Sequence, residues 1–128
     1  MTASNKPKAT GFRRIINASR YSKQGLVSAL THEAAFRQEL ALFLISLPLA
    51  FWLSDSLWQG SLLVASLILV LIVELLNSAI EALVDRVSTQ NHELSGRAKD
   101  MGSAAVLLSL LLAGTLWGAA LWQKLMGA

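Results

Sequence analysis

Residues 74–85 of this 128-residue chain read Glu74-Leu-Leu-Asn-Ser-Ala-Ile-Glu-Ala-Leu-Val-Asp85 and end its longest apolar run. On an α-helix, which turns about 100° per residue, every polar side chain of this stretch falls within about 60° of Glu74. These side chains are Asn77, Ser78, Glu81 and Asp85. The helix therefore carries one narrow polar stripe among leucine, isoleucine, valine and alanine. Because an isolated carboxylate is costly to desolvate in a membrane, the stripe predicts a functional site that faces protein or water.

The rest of the chain is too apolar for a soluble domain of this size. Hydrophobic residues make up 54% of the sequence, charged residues make up 15%, and the mean hydropathy is +0.52. The surface of a soluble domain needs more charge than this. Three apolar segments, 40–54, 57–84 and 101–126, account for the balance. They predict an all-α membrane protein with three transmembrane helices in one bundled domain.

Local sequence patterns predict the boundaries of the tail, the surface helix and the membrane helices. Residues 1–10 are predicted to form a disordered tail, and residues 11–33 a basic amphipathic helix on the membrane surface. Membrane helices with cytoplasmic extensions are predicted over residues 36–55, 58–84 and 100–124, and Ser95-Gly96 is a candidate cap for the last. The N-terminus lacks an apolar core with a small-residue cleavage site, so no signal peptide is expected. The sequence has no cysteine, which excludes disulfides and thiolate sites.

Charge placement predicts the orientation in the membrane. Ten of the eleven Lys and Arg residues lie before the first span or between the second and third. The positive-inside rule then places the N-terminus and the 85–100 loop in the cytoplasm and the C-terminus in the periplasm. The basic residues form no groove-binding patch, so no nucleic-acid partner is expected. The four tryptophans are interpreted as an outer aromatic belt with no other role: Trp52, Trp58, Trp117 and Trp122.

The length of the second apolar segment predicts how deep the polar stripe lies in the membrane. Counting about 20 residues inward from Trp58 ends the span near Asn77. Glu74 then lies in the last turn inside the cytoplasmic boundary, and Glu81 lies about one turn beyond it.

The first apolar segment, in contrast, is too short to span the membrane alone. Its helix must start near Phe36, which draws Glu33 and Glu39 into the same layer as Glu74. Glu33 and Arg37 are also spaced for an i,i+4 ion pair, which would be a purely structural role for both.

The motifs present limit the reactions that residues at this membrane boundary could catalyse. The sequence contains no phosphate loop, dinucleotide fingerprint, zinc-protease motif or nucleophile elbow. Carboxylates can bind Mg²⁺ with phosphate oxygens, another carboxylate can accept a proton from an alcohol, and Lys or Arg can neutralise phosphate. The set favours phosphoryl transfer to a lipid hydroxyl at the membrane boundary. A cation-coupled transporter and a structural subunit remain open on the same residues, with Lys99 and Asp100 as a simple ion pair in the latter case.

Three stretches resemble the prokaryotic diacylglycerol kinase family. They are residues 33–39 (Glu-Ala-Ala-Phe-Arg-Gln-Glu), residues 73–86 around the stripe, and residues 92–106 (His-Glu-Leu-Ser-Gly-Arg-Ala-Lys-Asp-Met-Gly-Ser-Ala-Ala-Val). The Gly11-Phe-Arg-Arg-Ile-Ile stretch resembles the family's surface helix, and the resemblance covers residues 11–122. It implies a homotrimer of three-span subunits in the bacterial inner membrane, with active sites shared between neighbours.

The activity implied by the resemblance is transfer of the ATP γ-phosphate to diacylglycerol, which gives phosphatidic acid. A related branch phosphorylates undecaprenol, but the sequence of residues 37–39 and 96–103 resembles the diacylglycerol branch more closely. The chain departs from the family pattern at four places: Val27, Leu30, Leu40 and the Gln90-Asn91 pair.

The resemblance also implies a role for each matching residue. Glu74 would be the catalytic base toward the lipid hydroxyl, Glu33 and Glu81 would hold Mg²⁺ on the ATP phosphates, and Asn77 would support the site. The implied ATP contacts are Arg14, Tyr21, Glu33, Glu81, Gln90, Asn91, His92, Lys99 and Asp100. The implied lipid contacts are Ser22, Lys23, Ala35, Phe36, Arg37, Gln38, Glu39, Glu74 and Ser103.

Overall fold

The computed structural model describes residues 10–87 and 90–127, and the described part is helical throughout, apart from its turns. Its elements are α1 (Phe12–His32), α2 (Ala34–Leu53), α3 (Leu57–Val87) and α4 (Glu93–Met126). Helices α2, α3 and α4 are each long and apolar enough to cross a membrane. The all-α class with three such helices is therefore confirmed. Apart from Thr10, the predicted tail lies outside the described residues.

The chain changes direction between α1 and α2 at one extended residue, Glu33 (φ −114°, ψ 105°). Arg37 closes the end of α1, because its Nη1 donates to the carbonyl oxygens of Leu30 at 2.9 Å and Thr31 at 3.2 Å. The last carbonyls of a helix lack partners within the helix, so a nearby guanidinium stabilises them. The Glu33–Arg37 ion pair considered from spacing is wrong: in the described chain the one ion pair joins Lys99 and Asp85.

The turn between α2 and α3 is short and closely packed. The Ser56 hydroxyl accepts a hydrogen bond from the Gln59 N–H at 3.1 Å, as serine commonly does at a helix start. Gly60 is buried, and a Cβ there would lie 2.6 Å from Cδ1 of Phe51. The absence of a side chain at Gly60 thus lets α2 pack directly onto the first turns of α3.

Helices α3 and α4 run antiparallel, and polar contacts join them at both ends. Near the α3–α4 loop, Lys99 Nζ lies 2.8 Å from Asp85 Oδ1. Near the α2–α3 turn, Gln59 Nε2 donates to Gln123 Oε1 at 3.0 Å. These contacts, which lie at opposite ends of the interface, hold the two longest helices in one register.

Between those ends, Trp117 on α4 joins the two helices. It is half-buried, and its indole N–H is shared between the Leu63 carbonyl and the Ser66 hydroxyl, each at 3.2 Å. The interpretation of all four tryptophans as belt residues alone is wrong for Trp117. Periodicity could not show this, because the partners are more than fifty residues away in sequence. Trp52, in contrast, is exposed and stacks under the Lys124 ammonium, 4.9 Å from the ring centroid.

The start of α4 also differs from the sequence-based expectation. Its cap is His92, whose Nδ1 accepts from the Leu94 N–H at 3.1 Å, and Ser95 lies inside the helix. Helix α4 therefore begins with a polar segment from Glu93 on the loop side of the molecule, and its apolar part begins at Met101.

The buried face of α3 explains where the site forms. Its buried residues recur at helical spacing and include Leu63, Val70 and Glu74. The same face that packs in the small apolar core near the α2–α3 turn therefore continues into the polar stripe. Most large apolar side chains of the three long helices are exposed, as expected for helices that face lipid or other subunits.

The cross-helix role of Trp117 can be tested by Trp117→Phe. Loss of the indole N–H is expected to lower the free energy of unfolding by about 0.6–2 kcal/mol, the range for hydrogen bonds between membrane helices. Reversible unfolding in mixed micelles, followed by circular dichroism, measures this. The matched control is Trp122→Phe, because Trp122 is exposed on the same helix. Equal stability of the two variants would contradict the role.

Candidate active site

The polar stripe of α3 passes from buried to exposed along its length. Glu74 is only 6% exposed, and Asn77 and Ser78 are each 8% exposed. One turn further on Glu81 is half-buried, and Asp85 is exposed. The expectation that the stripe faces protein is confirmed at its buried end.

The carboxylates of three other glutamates lie within electrostatic range of Glu74. The carboxylate of Glu74 interacts electrostatically with those of Glu81 and Glu33, and Ser78 is its neighbour one helical turn further along the stripe. Glu39 in turn interacts with Glu74, and Glu39 Oε2 is buried without a hydrogen-bond partner among the described atoms. We call Glu33, Glu39, Glu74 and Glu81 the carboxylate cluster. Because like charges this close repel one another, a proton or a cation within the cluster would be stabilised.

Asn77 connects the cluster to α4. Its Nδ2 donates to Glu81 Oε1 at 3.4 Å. Its Oδ1 is buried with no hydrogen-bond partner in the described structure and lies against Gly102 of α4. The amide thus fills the space between the two helices at the level of the cluster.

Lys99 brings a positive charge to the exposed end of the stripe. Its ammonium is bonded to Asp85 on α3, so the simple Lys99–Asp100 ion pair considered from sequence is wrong. Adjacent residues on a helix do not face each other, which is why the partner comes from α3. The hydrogen bond and the charge of Asp85 raise the pKa of Lys99, with a smaller contribution from Glu81. Lys99 therefore stays cationic and lies within electrostatic reach of the cluster.

Two cavities of different character flank the stripe. The first, the α1–α3 cleft, has a volume of about 690 Å³ and a mostly apolar lining. Its walls come from α1, from the Glu33 corner and from one side of α3 that includes Ser78, Ala79 and Ala82. Because Glu33 belongs both to this lining and to the carboxylate cluster, the cleft reaches the cluster.

The second cavity, the loop pocket, has a volume of about 370 Å³ and a more polar lining. It lies at the exposed end of the stripe, between the end of α3 and the start of α4. Its described lining residues are Val84, Asp85, Gln90, Asn91, His92, Glu93, Ser95, Gly96 and Lys99. Four residues that the family resemblance linked to ATP are thus brought together in one pocket.

Other residues linked to substrates lie elsewhere on the chain. Arg14 and Tyr21 are exposed on α1 and line neither cavity, and Asp100 and Ser103 are exposed on α4. Ser22 lines the α1–α3 cleft, and together with Lys23 it also lines a shallow groove along α1. From the 35–39 set, Phe36 is buried, whereas Ala35, Arg37 and Gln38 are exposed. The roles of these residues stay predictions.

Sequence reasoning left three residues out of the site. Ser78 and Asp85 belong to the stripe and Gly102 lies in the matching stretch 92–106, but the resemblance gives none of the three a role. The signal for Ser78 was present in its helical spacing from Glu74. Gly102 and Asp85 take part through α4 contacts, which periodicity within one helix does not report.

Comparison with known proteins decides the family. The model of the prokaryotic diacylglycerol kinase family matches residues 20–121. The chain belongs to that family. The match includes the whole carboxylate cluster and the described part of the loop pocket, but it begins after Arg14. The family resemblance seen in the sequence is confirmed, and the chain is classed with the membrane kinases.

Curated relatives of the family agree closely with this chain. Diacylglycerol kinase of Haemophilus influenzae is 49% identical over 115 residues, which cover 90% of this chain and 98% of that protein. Diacylglycerol kinase of Escherichia coli strain K12 is 54% identical over 114 residues, covering 89% and 93%. Diacylglycerol kinase of Pseudomonas aeruginosa is 51% identical over 108 residues, covering 84% and 88%. The similarity therefore extends over nearly the full length of each relative.

Proposed function

We propose that this protein is an ATP-dependent diacylglycerol kinase that produces phosphatidic acid at the cytoplasmic face of the bacterial inner membrane. The observation that carries the proposal is the burial of Glu74 within a carboxylate cluster that adjoins one apolar cleft and one polar pocket. A lipid and a nucleotide need two such environments side by side. Family membership and the names of the relatives favour diacylglycerol over undecaprenol as the acceptor.

Glu74 is the proposed catalytic base. It accepts the proton of the lipid hydroxyl while the hydroxyl oxygen forms a bond to the γ-phosphorus of ATP. The bond from that phosphorus to the β–γ bridging oxygen breaks, and ADP leaves. The location of Glu74 supports this role, because its stripe neighbour Ser78 lines the α1–α3 cleft, whose apolar walls suit the acyl chains of a lipid.

The loop pocket is the proposed nucleotide site. Gln90, Asn91 and His92 line it with amide and imidazole groups, and the cationic Lys99 can neutralise phosphate charge. Arg14, Tyr21 and Asp100 lie outside this pocket of the chain. In the proposed homotrimer with shared active sites, a neighbouring subunit would supply such residues. The extensive exposed apolar surface of the long helices is consistent with association of subunits.

Mg²⁺ is the proposed metal ion, held by Glu33 and Glu81 together with ATP phosphates. In kinase sites Mg²⁺ takes one or two protein carboxylates plus phosphate oxygens and water. Two observations support this assignment: Glu33 and Glu81 each interact electrostatically with Glu74, and Asn77 donates to Glu81. Within residues 10–87 and 90–127 no three His, Asp or Glu side chains are placed to hold a metal alone. When bound, the ion offsets the negative charge of the transferred phosphoryl group.

The proposed topology places α1 on the cytoplasmic surface, with the loop pocket facing the cytoplasm and the C-terminus in the periplasm. Three spanning helices put the two termini on opposite sides, and the Lys and Arg residues concentrate on the loop-pocket side. ATP, which is confined to the cytoplasm, would then reach the pocket directly, and the lipid would enter the cleft from the bilayer.

Transfer of radiolabelled γ-phosphate from ATP, with diacylglycerol and undecaprenol offered separately in mixed micelles, tests the proposed function. We expect labelled phosphatidic acid, and we expect Glu74→Gln to lower kcat on the order of 10²-fold or more because the base is lost. Asp55→Asn is the control, since Asp55 is an exposed carboxylate at the opposite end of the bundle.

Three results, two from this assay and one from a separate uptake measurement, would overturn parts of the proposal. Preferential labelling of undecaprenol would change the acceptor. Solute uptake by proteoliposomes without any labelled lipid would favour a transporter. Wild-type turnover of a pure Glu74→Gln preparation would remove Glu74 as the base.

The proposed metal ligands predict a change in Mg²⁺ dependence. Glu33→Gln or Glu81→Gln removes one anionic ligand, so the Mg²⁺ concentration for half-maximal rate is expected to rise, and added Mg²⁺ is expected to restore part of the activity. Titration of Mg²⁺ at saturating lipid measures this, again with Asp55→Asn as control. Loss of activity with an unchanged Mg²⁺ profile would argue against these residues as ligands.

A further inference from the structure

Gly102 of α4 lies directly against Asn77 of the polar stripe. The glycine is buried, and a Cβ added to it would lie 3.3 Å from Asn77 Cγ and would collide with Asn77 Oδ1. Gly114 and Gly118, further along the same helix, have nothing within 4 Å of an added Cβ. The space at Gly102 is therefore occupied by one particular side chain, the carboxamide of Asn77.

The orientation of that carboxamide is set by its surroundings. Nδ2 donates to Glu81 Oε1, and Oδ1 lies against the α4 backbone at Gly102 without a hydrogen-bond partner in the described structure. The reversed amide would direct its carbonyl oxygen at the Glu81 carboxylate, and two acceptors repel each other. The Nδ2–Glu81 contact thus requires Oδ1 to occupy the space that the glycine leaves open.

We propose that Gly102 is a positioning residue for the Mg·ATP side of the active site, acting through Asn77 on Glu81. The inference rests on the proposed function, in which Glu81 binds Mg²⁺. A hydrogen bond from Asn77 restricts the rotation of the Glu81 carboxylate. Partners that orient a metal ligand in this way typically change metal affinity about 10–100-fold when they are lost.

A methyl group at position 102 displaces the carboxamide. Asn77 is almost fully enclosed, so its carboxamide has to rotate to clear the methyl group, and we expect this rotation to lengthen or break the 3.4 Å contact from Nδ2 to Glu81 Oε1. For Gly102→Ala we expect kcat/KM for Mg·ATP to fall on the order of tenfold or more, with a weaker Mg²⁺ response. The KM for lipid is expected to stay the same, because the α1–α3 cleft contains no residue of α4 in its described lining.

A double-variant cycle separates this effect from a general packing defect. In Asn77→Ala the colliding amide is gone, and the Cβ atoms at positions 77 and 102 would lie 3.9 Å apart, an ordinary contact. We therefore expect Gly102→Ala to cause no further loss in the Asn77→Ala background. Gly114→Ala is the matched control, because it adds the same methyl group to the same helix in open space.

A binding measurement gives a readout that does not depend on turnover. Mn²⁺ can replace Mg²⁺, and the paramagnetic resonance signal of free Mn²⁺ reports its binding in the presence of a non-hydrolysable ATP analogue. Gly102→Ala and Asn77→Ala are expected to weaken Mn²⁺ binding by similar factors, and Gly114→Ala is expected to bind as the wild type does. Detergent-induced unfolding of each variant checks the fold.

Four outcomes would overturn the inference. They are unchanged Mn²⁺ binding in Gly102→Ala, a loss in the double variant equal to the product of the single losses, an equal loss in Gly114→Ala, and a Gly102→Ala protein that fails to fold both with and without Asn77→Ala. If only the single Gly102→Ala variant misfolds, the rescue by Asn77→Ala supports the contact. A wild-type protein that phosphorylates no lipid would overturn the proposed function together with this inference, whereas an active wild type with unaffected Gly102→Ala would overturn the inference alone.

Discussion

The burial of a carboxylate between membrane helices is the constraint on which the rest of this structure depends. Glu74 lies on a helix whose other positions are nearly all apolar, and it is almost fully enclosed by the chain. Such a group is costly unless protein dipoles, protons or cations are near it. Ser78 places a hydroxyl one helical turn from Glu74, and the charge of the neighbouring glutamates favours a proton or a cation beside it. The same arrangement that costs folding energy therefore suits the proton transfer and the metal ion proposed for this site, which is a common compromise between stability and activity.

The interface between α3 and α4 fixes the positions of the residues around Glu74. Lys99 meets Asp85 at the loop end and Trp117 reaches Ser66 further along, so the register of the two helices is held on both sides of the stripe. With that register, Gly102 faces Asn77 and leaves room for its amide. The loop pocket is another product of the interface, since its walls come from the end of α3 and the start of α4. A shift of one helical turn, about 5.4 Å, would separate all of these contacts at once.

Helical spacing and span length were enough to predict the three long helices, the stripe and the shared layer of Glu33, Glu39 and Glu74. They succeeded because both depend on one helix at a time and on the thickness of a bilayer. Contacts between helices could not be predicted from helical spacing or span length. Arg37 has the right spacing for Glu33, but the chain is extended at Glu33, and the guanidinium binds the α1 carbonyls instead. Lys99 has an acidic neighbour in sequence but bonds to an acid on another helix, and Trp117 bonds deep within the interface.

In the proposed mechanism, the two ends of one stripe serve two substrates: Glu74 the lipid hydroxyl, and Glu81 with Glu33 the metal-bound nucleotide. The most direct measurement is a crystal structure of the protein with Mn²⁺, a non-hydrolysable ATP analogue and diacylglycerol, in which anomalous scattering locates the metal. We expect the Mn²⁺ peak between the carboxylates of Glu33 and Glu81. We expect the lipid hydroxyl within hydrogen-bond distance of Glu74, about 2.6–3.2 Å. A metal ion bound to Glu74, or a lipid hydroxyl beside Glu81, would contradict the proposed mechanism.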